Sequence, residues 1–226
     1  MYSPSQFHQL DPAALQSLVV DHPLATLVLQ SPQGLSADHV PLMLRPQEGG
    51  LGALAGHVAR ANPLWRLASP TVDVLAVFQG PQAYISPQWY ATKPRDGRAV
   101  PTWNYAVVHV QGQLRAMEDP VWLRAQLDEL TAQQERRFLQ PWSLADAPPE
   151  YTDRLLQAIV GIEITITGWS GKWKVSQNQP PVNQRSVVVG LQAQATEAAS
   201  TMADWVVQAC PGARSEPAAL APDAAT

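Results

Sequence analysis

The chain is poor in cysteine, in basic charge and in long apolar runs, and each shortage closes off a class of protein. Among 226 residues the only cysteine is Cys210, so no intrachain disulfide can form, and no Cys/His register suits a four-coordinate zinc site. Lys and Arg total 15 against 19 Asp and Glu, a net charge of -4 with a pI near 5.7. There is no basic arm or tract, which argues against nucleic-acid binding driven by bulk electrostatics. No apolar run of about 18 residues offers a membrane span. The first Lys or Arg is Arg45, so the N-terminus lacks the basic and apolar regions of a secretory peptide. No Ser-His-acid order, paired-carboxylate motif, P-loop or G-x-G-x-x-G occurs, so chemistry is expected from a borrowed cofactor. These absences predict a protein of the reducing cytoplasm with no membrane partner.

What the chain does have is proline, 21 residues against a usual share of roughly 5%, and tryptophan, 8 of its 16 aromatic residues. Proline divides the chain into short elements. Asp11-Pro12 predicts a capped helix over 11–21. A hairpin is expected from strands 24–30 and 35–45 around Ser31–Gly34, followed by a strand at 51–57 and a short helix after Asn62-Pro63. Further strands are predicted at 72–79, 103–116 and 161–168, and helices at 119–139, 151–160, 182–194 and 197–209. The Ala/Pro-rich stretch 211–226 is expected to be a disordered tail. Six antiparallel strands with peripheral helices give a mainly β, α+β class, and closure into a small barrel would remove exposed edges.

Three segments carry candidate chemistry. In the first, Gly56 to Trp65, a strand passes into a helix and would bring His57, Arg60 and the amides capped by Asn62 around one point, an anion site suited to phosphate; a plain capped helix with a solvated arginine fits the same letters. The second, Gly171 to Pro180, holds Lys172, Lys174, Ser176 and Gln177, and no acid occurs from Gly171 through Leu191. Alternation would set Lys172, Lys174 and Ser176 on one face, as for phosphate beside a ring, although an exposed loop is the competing reading. The third joins Gln79–Tyr90 to Val100–Tyr105, where Trp103 and Asn104 could wall a pocket for a planar heterocycle or simply pack in the core. His39 and His109 sit in strands, where a histidine is a pocket residue, a haem ligand or a structural hydrogen-bonding group.

Taken in order, MYSPSQF, ADHVPLML, GHVARANPLW, FQGPQAYISPQWY, VPTWNYAVVHVQGQL, and AIVGIEI leading to GKWKVSQNQ resemble the PaiB family of FMN-binding negative transcriptional regulators, from Met1 to about Leu191. The resemblance implies a six-stranded antiparallel split β-barrel, similar to the pyridoxamine-phosphate-oxidase-like flavoproteins, that is homodimeric and binds FMN at the subunit seam. It implies a domain over 1–195 and an extension over 196–226. By resemblance, Arg60 with Asn62 would hold phosphate, and Lys174, Ser176 and Gln177 would line the second basic segment, with Lys172 expected beside them from the alternation of the strand. Trp103 and Asn104 would contact the ring, with His39 and His57 on strands facing the flavin. The function implied is a flavin-dependent oxidoreductase or redox sensor. The alternatives are a DNA-binding repressor with structural FMN, which the charge and the lack of a helix-turn-helix disfavour, and a haem-binding split-barrel protein.

Overall fold

The computed structural model describes residues 1–47, 49–68 and 71–214, with the backbone alone at Asp96. In chain order the elements are β1 (His8–Gln9), α1 (Pro12–Asp21), β2 (Leu24–Ser31), β3 (Gly34–Pro41), β4 (Met43–Arg45), β5 (Ala53–Ala59), α2 (Leu64–Leu67), β6 (Val72–Ile85), α3 (Lys93–Asp96), β7 (Thr102–Met117), α4 (Pro120–Glu135), α5 (Pro149–Gln157), β8 (Ile159–Lys174), α6 (Pro181–Gln192) and α7 (Glu197–Ala209). Helix starts follow their caps. The Asp11 carboxylate accepts from the Ala13 amide at 3.1 Å, and Asp119 accepts from Val121 at 3.0 Å. Each cap precedes a proline, whose missing N–H would have no helical partner in that first turn.

The described strands number eight, not six. The expected return strand 35–45 is two strands, because the chain turns at the fully buried Leu42: β3 pairs with β2, and β4 pairs with β5. The two-residue β1, which pairs with β8, is the other addition. The order is β3-β2-β6-β7-β8-β5-β4. Since the outermost strands β3 and β4 are joined through Leu42 alone, the path returns on itself. That closure depends on Gly56, where a Cβ would lie 2.7 Å from the Pro41 carbonyl oxygen and 2.8 Å from Leu42 Cδ2.

The described chain forms two compact units. One comprises Leu10–Gln79 and Val107–Gly171 and holds the barrel core. Ala25, Leu27 and Leu29 of β2, Val74, Ala76 and Phe78 of β6, and Val160, Ile162 and Ile164 of β8 are buried by two-residue alternation. The other comprises, among the described residues, 1–9, 80–106 and 172–214. In it α7 packs on α6, and Trp89 lies so close to Gly190 that a Cβ there would meet its ring at 2.4 Å. Both helices therefore belong to one unit across the boundary expected at residue 195. Pro211–Ala213 forms a 3-10 turn with Ala213 buried, so the expected disorder does not begin at 211, and 215–226 lies outside the described residues.

Candidate functional site

Strand β8 continues past the predicted end at 168 to Lys174, which makes Lys172 and Lys174 same-face neighbours in one strand. Lys172 is only 8% exposed. Its ammonium donates to the Tyr2 carbonyl at 3.1 Å and lies 5.7 Å and 5.4 Å from the ring centroids of Tyr2 and Tyr105, a cation–π arrangement. Lys174 Nζ donates to the Trp103 carbonyl at 2.6 Å and to the Thr102 hydroxyl. Among the described residues neither lysine has a carboxylate partner. Burial, and then the charge of Lys172, holds the Lys174 amine below its ordinary value.

Trp103 is 53% and Tyr84 45% exposed, and the rings meet edge to face at 6.0 Å. The loop after β8 is fixed from below. Asn104, 1% exposed, donates to Ser176 Oγ at 2.9 Å and holds that serine at φ +70°. Gln184 donates to the Ser176 and Gln179 carbonyls, and Asn183 joins Gln179 to Thr92. Gln177 closes on its own loop, accepting from the Val175 amide and donating to the Trp173 carbonyl. Of the predicted residues in this unit, Lys172, Lys174 and Trp103 present cation and ring, whereas Asn104, Ser176 and Gln177 are scaffold. Alternation does not carry Ser176 onto the lysine face, because the left-handed backbone there turns it to Asn104.

The predicted residues of the barrel unit turn to separate partners. His57 Nδ1 pairs with Oε1 of the fully buried Gln126 at 3.0 Å. Arg60 donates from Nε to the Gln157 carbonyl, from Nη2 to the Ile159 carbonyl and from Nη1 to Glu118, at 2.9, 3.1 and 2.8 Å. Asn62 Oδ1 accepts from the Leu64 amide, and its Nδ2 donates to Asp38. The expected convergence of His57, Arg60 and free helix amides on one anion is not what is built, since α2 is a single turn whose first amide Asn62 already holds. His39 is exposed on β3, opposite Thr26. Tyr2 escapes the sequence reading, for nothing in local spacing links it to Lys172; Tyr84, Thr102 and Tyr105 lie in the segments marked as a pocket wall, though none of them is singled out there.

A strand end that pairs cations with flat exposed rings suits a planar anionic cofactor, and comparison with known proteins names one. Residues 1–168 match the family model FMN_bind_2, described as "Putative FMN-binding domain". The Protease synthase and sporulation protein PAI 2 of Bacillus subtilis is 30% identical over 204 residues, 90% of this chain and 95% of that one. A protein of Emericella nidulans is 33% identical over 227 residues, covering 85% and 90%. Among solved structures, the FAD and heme binding protein from Mycobacterium smegmatis has a TM-score of 0.56 at 17% identity, covering 74% of this chain and 73% of that one, a likeness of fold. The molecule is thus a split-barrel flavoprotein whose cofactor is FMN. Within that class the chain belongs to the PaiB family.

Proposed function

We propose that the protein is an FMN-dependent redox protein working as a homodimer, with the flavin ring against Trp103 and Tyr84 and the Lys172 ammonium complementing its anionic groups. The observation that carries this reading is the lysine pair without an acid beside an exposed aromatic pair. That donor set fits FMN, since flat rings stack and a buried cation without a carboxylate partner favours a bound anion. When bound, FMN supplies hydride and electron transfer. The chain's part is to seat the ring and its charge.

A second copy is supported by the outer face of the barrel sheet. Val77, Val28 and Leu75 of the paired rows Thr26 with Val77 and Val28 with Leu75 are apolar, all four residues are half-buried, and Leu35 is 76% exposed beside them. A groove of about 450 Å³ runs here, lined by Val28, Leu35, Leu75, Gln30, Asp73 and Gln111. Such an apolar patch on a small domain fits an interface. The test is anaerobic titration of the FMN-loaded protein with NADH and NADPH, with light scattering for mass. Bleaching of the flavin that air reverses, in a dimer that Leu35→Glu dissociates, is the expected result. A flavin that neither nucleotide reduces, or a monomer, overturns the corresponding half. Direct DNA repression finds no support in a net charge of -4.

A further inference from the structure

We propose that Lys174 is a carbonyl-reactive amine that captures an aldehyde carried on a flat ring as a reversible imine. The first ground is allocation. Of 15 basic residues only Lys93, Lys172 and Lys174 are lysines, and the described ion pairs all use arginine. Arginine cannot give up its proton at neutral pH, whereas lysine can once buried. The chain thus places a titratable amine twice at one strand end.

The second ground is stereochemical. A neutral amine has two N–H bonds and one lone pair. The Trp103 carbonyl and the Thr102 hydroxyl take up the two N–H bonds of Lys174, and the lone pair remains for attack. Lys172, whose Nζ donates to the Tyr2 carbonyl and lies over two tyrosine rings, stands on the same strand face. A fixed cation beside a second amine is a known way of making a lysine nucleophilic. The residue whose carbonyl positions the amine, Trp103, also presents the exposed ring that would receive a flat substrate.

In the step, the Nζ lone pair adds to the carbonyl carbon and the amine's protons move to the oxygen. That oxygen leaves as water as the C=N bond forms, and hydrolysis reverses the sequence. No oxidant or reductant takes part, and because the flavin reading places the isoalloxazine on the same Trp103 ring, the capture belongs to the flavin-free protein.

The test uses the full chain with benzaldehyde, trapped by cyanoborohydride and mapped by peptide mass, with Lys93, a half-buried amine that donates to Gln88 and has no lysine beside it, as internal reference. Lys174 is expected to label several-fold faster than Lys93, with its rate levelling off at a lower pH. Lys172→Met should slow Lys174 labelling while leaving Lys93 unchanged. Lys174→Arg, which keeps hydrogen-bond donors on a long side chain but has no amine to form an imine, should abolish the fast label. Labelling of Lys174 no faster than Lys93, or a fast label that survives Lys174→Arg, would overturn the proposal. FMN binding measured on the same samples separates this outcome from failure of the flavin reading.

Discussion

Replacing Ser176 with alanine and with glycine separates two opposing energies at the loop that follows the lysine strand. Ser176 is 3% exposed at φ +70°, and its hydroxyl accepts from the nearly inaccessible Asn104 amide. Ser176→Ala keeps the left-handed backbone and strands Asn104, and an unsatisfied buried amide costs about 1–3 kcal/mol. Ser176→Gly strands it equally but relieves the left-handed conformation, worth about 1–2 kcal/mol. Glycine's greater freedom in the unfolded chain returns about 0.4–1 kcal/mol of that relief. The glycine variant should therefore be the more stable of the two by about 0.5–1 kcal/mol, with both below the parent. On a domain of this size 1 kcal/mol moves Tm by roughly 2–4 °C, so urea unfolding with free energies extrapolated to water is the better assay. An alanine variant as stable as the glycine one would show that the backbone holds no strain there. An alanine variant at parental stability would show that the Asn104 contact contributes nothing.

Other perturbations test other parts of the molecule. Gly56→Ala should destabilise by about 1–3 kcal/mol, because the new methyl meets a backbone carbonyl at 2.7 Å that cannot swing aside; thermal unfolding reads it, and an unchanged Tm would mean the β3–β4 corner is loose. Trp103→Ala should leave folding intact, since the ring is half exposed, yet weaken FMN by about 1 kcal/mol of stacking, measured by flavin fluorescence quenching. Burial holds the His109 imidazole below its ordinary value, so the fold favours the neutral ring. Its contribution is whole above about pH 6.5 and is lost as pH falls through the folded value; His109→Gln should flatten urea stability over that acidic range, and an unchanged slope would refute the assignment.

How much of this was legible in the sequence depended on the range over which each signal acts. Asp11-Pro12 and Asp119-Pro120 marked two helix starts because a cap is complete within three residues. The six core strands were visible by alternation, but their ends were not. On β8 the isoleucine rhythm stops after Ile166, while backbone pairing, which has no side-chain signature, carries the strand to Lys174. The break at Leu42 was hidden for a related reason: ADHVPLML alternates through the corner, and only the approach of β5 at Gly56 shows the turn. The lysine pair was readable from its lack of acids. The Tyr2 carbonyl that pins Lys172 lies 170 residues away, beyond any local pattern.

Arg60 is where local chemistry and tertiary context compete most directly. A guanidinium between a strand and a helix start reads as a phosphate clamp, but here Nε and Nη2 hold the Gln157 and Ile159 carbonyls where α5 ends and β8 begins. A cation there also complements the partial negative charge at the end of α5. Nη1 meets Glu118 at 2.8 Å, and the Arg60 amide donates to Ala158. The residue thus fastens the end of β5 to the α5–β8 junction. Arg60→Ala should lower stability by about 1–2 kcal/mol, the lower part of the range for charge-assisted bonds, because the side chain is 39% exposed and solvent screens the pair. If the role is structural, FMN affinity of the folded fraction stays at the parental value, and Arg60→Lys recovers less than half the stability because an ammonium cannot reach both carbonyls and Glu118 in the guanidinium's fork geometry. A fall in FMN affinity with unfolding unchanged would instead restore Arg60 to the phosphate.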